Sequence, residues 1–171
     1  VPVLSVGNIT AGGTGKTPVV ELLAAKLLAQ GIRIAVVSRG YRRTTKGYFL
    51  VSDGKGRVAS ARDGGDEPVQ IARKFPTLVV IADELRSRGC ARAVAEYRVD
   101  CILLDDAYQH RAMHRDMDIV VIDAVDGIYT QRLLPAGIRQ DLDASRVGED
   151  GEVAPVAKHR PGAADVVLVA V

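Results

Sequence analysis

Gly12-Gly13-Thr14-Gly15-Lys16-Thr17 is the stretch from which the rest of the chain is read. Before it lies Val1-Pro2-Val3-Leu4-Ser5-Val6, a short apolar run closing at Gly7; after it Val20, Leu23, Ala24, Leu27 and Leu28 recur at helical spacing and Gly31 supplies a stop. The order is strand, glycine-rich turn, helix. In that setting the glycines let successive backbone N–H groups converge on one anion, and a helix opening at Lys16 adds its positive end. The pattern predicts a triphosphate site, with Gly12, Gly13, Thr14 and Gly15 as the cradle. Lys16 would run along the β and γ phosphates and the Thr17 hydroxyl would meet Mg²⁺. The usual spacing asks for a glycine five residues before Gly15, where this chain has Thr10, and the upstream glycine is Gly7. The bland alternative is a glycine-rich strand-to-helix turn with an incidental Lys-Thr.

Working outward, Ile34-Ala35-Val36-Val37-Ser38 is the continuous apolar run of a parallel strand buried on both faces. Residues 77–82 read as a strand and 84–97 as a helix with Gly89 as its weak point. Cys101-Ile102-Leu103-Leu104 is a buried strand ending at Asp105, and residues 119–122 form another ending at Asp123. Strands alternating with helices predict an α/β fold of the P-loop NTPase type: a mostly parallel sheet with helices on both faces. Ligands on such sheets bind beyond the carboxyl ends of the strands, where Gly7, Arg39, Asp105 and Asp123 fall. Residues 44–65 change character around Asp53-Gly54 and predict a hairpin or an exposed excursion from the sheet. Residues 139–162 read as a flexible connection, after which 165–171 resume as an apolar run.

The chain has 171 residues, with 23 Lys plus Arg against 21 Asp plus Glu and a net charge of +2. That length fits one domain able to bury about 70% of its unfolded surface without disulfide or metal staples. A single P-loop core over residues 1–171 is the expectation; because the chain opens without Met inside a strand and stops inside another, it reads as a fragment. Cys90 and Cys101 are core-type residues with neither zinc-knuckle nor redox spacing. With five Tyr, two Phe, no Trp and no basic block, nucleic acid is not an expected partner. No apolar run reaches the ~18 residues of a membrane span.

Two acidic stations remain. Leu103-Leu104-Asp105-Asp106 closes a buried strand with two carboxylates, the way such proteins present oxygen to magnesium. Adjacent residues of a strand point opposite ways, so both act at one place only if the chain turns at Asp106; alternatively Asp105 caps a following helix. In Gly64-Gly65-Asp66-Glu67-Pro68, Asp66 is either the cap of a helix or a base accepting a proton from an attacking hydroxyl, and spacing alone favours the cap. Arg39 and Arg111 are the candidates to fork onto phosphate oxygens. His114 and His159 have no partner pattern.

Taken together, Ser5-Val6-Gly7-Asn8 with the glycine-rich loop through Pro18, Ser38-Arg39-Gly40-Tyr41, Gly65-Asp66-Glu67-Pro68, Leu104-Asp105-Asp106 with Gln109-His110, and Leu133-Leu134-Pro135-Ala136-Gly137 resemble the tetraacyldisaccharide 4'-kinase (lipid A 4'-kinase) family. The resemblance covers roughly residues 3–137. It implies ATP as phosphate donor with Mg²⁺, and transfer of the γ-phosphate to the 4'-hydroxyl of a tetraacylated glucosamine disaccharide 1-phosphate, giving lipid IVA. The implied place is the cytoplasmic face of the inner membrane, reached peripherally. Carried onto this chain, Lys16 and Thr17 would hold nucleotide and metal, and Asp105 and Asp106 would be metal-side carboxylates. Asp66 becomes the residue acting on the acceptor hydroxyl; Arg111, from its place after the Asp pair and not from the resemblance, is the arginine expected to offset charge on the transferred phosphate. Ala107 stands where the family usually has Gly, and Ile138-Arg139-Gln140-Asp141 replaces a Pro-Leu-Arg-Glu continuation. Family members are also longer, with a membrane-associating segment and a second domain that have no counterpart in this sequence. The competing readings are a nucleotide-dependent switch or metal-insertion GTPase of the same group, and a nucleotide-binding remnant without catalysis.

Overall fold

Apolar runs that close on polar residues build the centre of a seven-stranded sheet. The computed structural model of the chain describes residues 1–8, 15–108 and 113–122, together with the backbone of a strand at 165–170. The strands are β1 (Val3–Asn8), β2 (Ile34–Ser38), β3 (Phe49–Asp53), β4 (Val79–Ala82), β5 (Cys101–Asp105), β6 (Met117–Ile122) and β7 (Asp165–Ala170). Their order across the sheet is β3-β4-β2-β5-β1-β6-β7, and every pair is parallel except β3 with β4. Helices α1 (Lys16–Ala29), α2 (Ala61–Gly64), α3 (Asp66–Lys74) and α4 (Arg86–Tyr97) connect them.

Because β2, β4 and β5 are buried along their whole length, their residues pack alternately to two sides. Val36, Val80 and Leu103 meet Val20 and Ala24 of α1 and Val69 and Ala72 of α3 on one face. Ala35, Val37, Ile81, Ile102 and Leu104 meet Cys90 and Ala93 of α4 on the other. Each fully buried Leu or Ile of this set is worth about 2 kcal/mol of transfer free energy. Helices on both faces of a mostly parallel sheet are what the alternation of elements predicts.

Three local features differ from the sequence reading. Residues 44–65 do not leave the sheet as an excursion: Phe49–Asp53 joins it as an antiparallel edge strand, with a register shift between Leu50 and Ser52. The Asp53-Gly54 turn is real but small, returning only as far as the single bridge Ser52–Val58. The helix expected from residue 84 begins at Arg86, since the Asp83 carboxylate accepts the Leu85 N–H at 2.9 Å and holds that stretch in a turn. Gly89 is not a weak point of α4; a Cβ there would lie 2.9 Å from the Val37 side chain, so the glycine is what lets α4 approach β2.

Chain order and sheet order diverge at β1. The chain passes from β1 over β5 to β2 and β4, returns to insert β5 between β2 and β1, and continues to β6 on the far side of β1. The carboxyl ends of β1, β2, β4 and β5 therefore open on one side of the sheet, carrying Asn8, Ser38, Ala82 and Asp105. That is the edge at which α/β sheets hold ligands.

Candidate active site

Helix α1 begins at Lys16 behind Gly15, which takes the left-handed conformation (φ 74°) that a side chain disfavours. Among the described residues no side chain caps α1, and its first turn holds no acid, so its positive end suits an anion. Lys16 Nζ donates to Asn8 Oδ1 at the end of β1, 2.8 Å away, and pairs with Asp106 Oδ1, also at 2.8 Å. Thr17 follows in the first turn, half-buried. Gly12, Gly13 and Thr14 of the expected cradle, and Arg111, Gln109 and His110, lie outside the described residues, as do Asp123 and 133–137.

The two carboxylates after β5 come together because the chain turns, as their joint use requires. Asp106 adopts φ 52°, a left-handed conformation that Asp tolerates better than most residues. Asp105 ends the strand and is buried, with Ser38 Oγ donating to its Oδ2 at 3.3 Å. It caps no helix. Burial pushes the Asp105 carboxyl up to about 6; the neighbouring Asp106 charge adds to the rise and Lys16 and Ser38 only partly offset it. Glu67, in the first turn of α3, raises it further, so the α3 end is within electrostatic reach of the pair. Ala107 is fully buried in the core and carries no positive φ, so glycine is not needed at that position.

The turn after Asp105 is clamped by two arginines. Arg86 Nη2 donates to the Asp106 carbonyl at 3.2 Å, and Arg115 Nη1 donates to the carbonyls of Ala107 and Tyr108 at 2.9 and 3.2 Å. Arg115 is in turn paired with buried Asp118 of β6. Gly7 permits the close packing here: a Cβ on it would meet Tyr108 Cβ at 2.5 Å.

At the second acidic station the cap role falls elsewhere. Gly65 is the N-cap of α3, at φ 91° and ψ 153°, no side chain caps the helix, and Asp66 is its first residue. Asp66 is exposed, which leaves its carboxylate available for chemistry. Gly65 packs so closely on the loop after β2 that a Cβ would lie 3.0 Å from Gly40 Cα.

Arg86 is the residue that the sequence reading missed. It is buried, and burial first, then the nearby Arg39 charge, depress its guanidinium, with Asp106, Asp105 and Asp83 opposing. Its Nε has no hydrogen-bond partner among the described residues. The legible signal was a basic residue in the first turn of a helix, where the macrodipole disfavours positive charge. Arg39 is exposed at the end of β2, near enough to Arg86 for the two charges to repel. Two guanidiniums within electrostatic reach of one another and of a carboxylate pair suit an anion nearby.

These residues fit a magnesium–nucleotide complex. Thr17, Asp105 and Asp106 offer only hard oxygen donors, and a buried carboxyl raised by a second carboxylate is relieved by a divalent cation. Among the described residues no cluster of three or more His, Cys, Asp or Glu could hold a metal unaided. That accords with magnesium, which takes one or two carboxylates and completes its shell with phosphate oxygens and water.

The chain matches the family model described as Tetraacyldisaccharide-1-P 4'-kinase over residues 1–147. A tetraacyldisaccharide 4'-kinase of Chlorobium phaeovibrioides is 47% identical over 145 residues, covering 82% of this chain and 41% of that protein. One from Chlorobaculum parvum is 43% identical over 169 residues, covering 91% of this chain and 47% of the relative. Among solved structures, LpxK from Aquifex aeolicus, described as an "apo" form in complex with ATP, superposes with a TM-score of 0.74 at 40% identity, covering 82% of this chain and 44% of that one. The chain thus spans less than half the length of these relatives.

Proposed function

Since the chain belongs to the tetraacyldisaccharide-1-P 4'-kinase family, we propose that it is the nucleotide-binding portion of an ATP-dependent kinase acting on the 4'-hydroxyl of a tetraacylated glucosamine disaccharide 1-phosphate. The observation that carries the reading is the placement of Lys16: it bridges Asn8 and Asp106 at the strand ends. Lys16 exchanges its Asp106 partner for the β and γ phosphate oxygens, and the free N-terminus of α1 supports the same anion. Thr17, Asp105 and Asp106 would hold Mg²⁺, which when bound would offset negative charge on the phosphates. Asp66, freed from capping by Gly65, orients the acceptor hydroxyl and takes its proton. The hydroxyl oxygen forms the new P–O bond, the bond from the γ-phosphorus to the β,γ-bridging oxygen breaks, and ADP leaves. Arg86 and Arg39 offset charge on the transferred group, with Arg111 assigned to the same task. In such a loose transition state nearly all of the catalysis is positioning and electrostatics.

The acceptor's acyl chains bring the reaction to a lipid surface, which the kinase meets peripherally; among the described residues no helix is long and apolar enough to cross a membrane. The test is Lys16→Ala. Binding of ATP should weaken by at least about tenfold and transfer to the acceptor lipid should vanish while the circular dichroism spectrum is unchanged. Retained turnover would sink the scheme. Preference for GTP over ATP in competition would point instead to a nucleotide-dependent switch.

A further inference from the structure

Beyond the carboxyl ends of the strands, the one buried acid on α1 is Glu21, and it bonds not to the sheet but to the neighbouring helix. Gln70 Nε2 of α3 donates to Glu21 Oε1 at 2.9 Å, and Lys74 Nζ donates to and pairs with Oε2. Burial alone would raise this carboxyl; the bonds from Lys74 and Gln70 and the Lys74 charge outweigh it and hold the group below its ordinary value.

The sequence spacing gives the contact its meaning. Thr17 and Glu21 are four residues apart on α1, and Asp66, Gln70 and Lys74 are successive steps of four on α3. Residues at i and i+4 share one face of a helix, one turn apart. Fixing Glu21 against Gln70 therefore fixes the turn above, which carries Thr17 on one helix and Asp66 on the other. Two acceptor oxygens meeting donors one turn apart set both the rotation of α3 and its shift along the axis. Apolar packing between the same helices sets neither so sharply, being non-directional.

We propose that Glu21 is a positioning residue: a strut between the nucleotide-binding helix and the helix bearing Asp66 that holds the acceptor-side carboxylate in register with the phosphate and metal side. The proposal rests on the phosphate-transfer reading above. A strut kept for register differs from one kept for stability alone: Lys74 is 55% exposed, so loss of Glu21 strands no buried charge, and a purely stabilising contact would not govern the spread of the helix-to-nucleotide distance.

The test uses the 171-residue chain with a nitroxide on exposed Arg73→Cys of α3, and Mn²⁺ with a nonhydrolysable ATP analogue as the second spin. Cys90 and Cys101 are buried and leave the label site-specific. Pulsed dipolar spectroscopy should give one narrow Mn–nitroxide distance in the otherwise native chain. Glu21→Leu should broaden that distribution about twofold or more, with Mn-nucleotide affinity changed by less than about threefold and the far-ultraviolet circular dichroism spectrum unchanged. Glu21→Gln, which keeps the acceptor for Gln70 and loses the one for Lys74, should give a width between those of Glu21→Leu and the native chain. An unchanged width in Glu21→Leu, with the Mn-nucleotide bound, overturns the strut alone. Failure of the native chain to bind the Mn-nucleotide overturns the phosphate-site reading, and the strut with it.

Discussion

Burial of Asp105 beside Asp106 opposes its ionisation, and the pH dependence of folding measures the cost. With a folded-state pKa of about 6 against an ordinary 3.8, the native protein retains a proton that the unfolded chain releases between those values. Stability from this group is therefore present below about 3.8 and is lost as pH rises towards 6. Asp105→Asn removes the penalty, so at pH 7.5 it should stabilise the chain by up to about 3 kcal/mol, while near pH 4 it should match the native protein. Urea titrations at the two pH values decide this; equal destabilisation at both would show that the carboxylate is well satisfied without a cation. The placement of Lys16, Thr17 and the Asp pair at the strand ends is legible residue by residue, because the strand-turn-helix signals that place them are local in sequence. The cap on α3 was misread for a local reason too: Asp and Gly both stop and start helices, and only the backbone places Gly65 rather than Asp66 in the cap. For Arg86 only its unfavourable place in the first turn of α4 was legible; its contact with the Asp106 carbonyl was not, because the two lie 20 residues apart in sequence.

Helix α3 owes its position to glycines as much as to packing. Gly65 sits at φ 91° and ψ 153°, a region that L side chains scarcely enter, and its α-carbon stacks on Gly40, which itself has φ 68°. Gly65→Ala should cost about 2 kcal/mol from the backbone conformation alone. The added methyl would also press on Gly40 Cα and shift the first turn of α3, so phosphate transfer should fall much further than nucleotide affinity. Comparing KM for ATP with kcat normalised to the folded fraction from circular dichroism checks the assignment, because a general loss of folded protein lowers kcat only in proportion to that fraction. Elements with strong periodicity were readable at this scale: α1, β2, β5 and the strand at 165–170 fall where apolar spacing puts them. Strand β3 was not, since pairing with β4 across the sheet edge is a tertiary choice that a five-residue run of mixed burial does not announce.

Across the whole molecule the sheet separates two hydrophobic layers, and the two thiols sit one in each. Cys101 belongs to the layer under α1 and α3, Cys90 to the layer under α4. Burial pushes the Cys90 thiol up to about 12 and raises Cys101 as well, so neither reacts while the fold is closed. If the sheet and both layers melt as one unit, the two cysteines should become reactive towards a disulfide reagent at one common rate set by global unfolding. A nucleotide that binds only the folded chain should then slow both equally, by about a hundredfold at a hundred times its dissociation constant. Mass-resolved labelling of each thiol, with and without the ATP analogue, tests the single-domain expectation. Faster exposure of Cys90 would mean that α4, which supplies the Arg86 clamp on the Asp106 turn, opens before the nucleotide helix does. The order of sheet and helices makes the shared rate the expected result: β2 and β5 contribute side chains to both layers, so neither layer can open without disturbing strands on which the other depends.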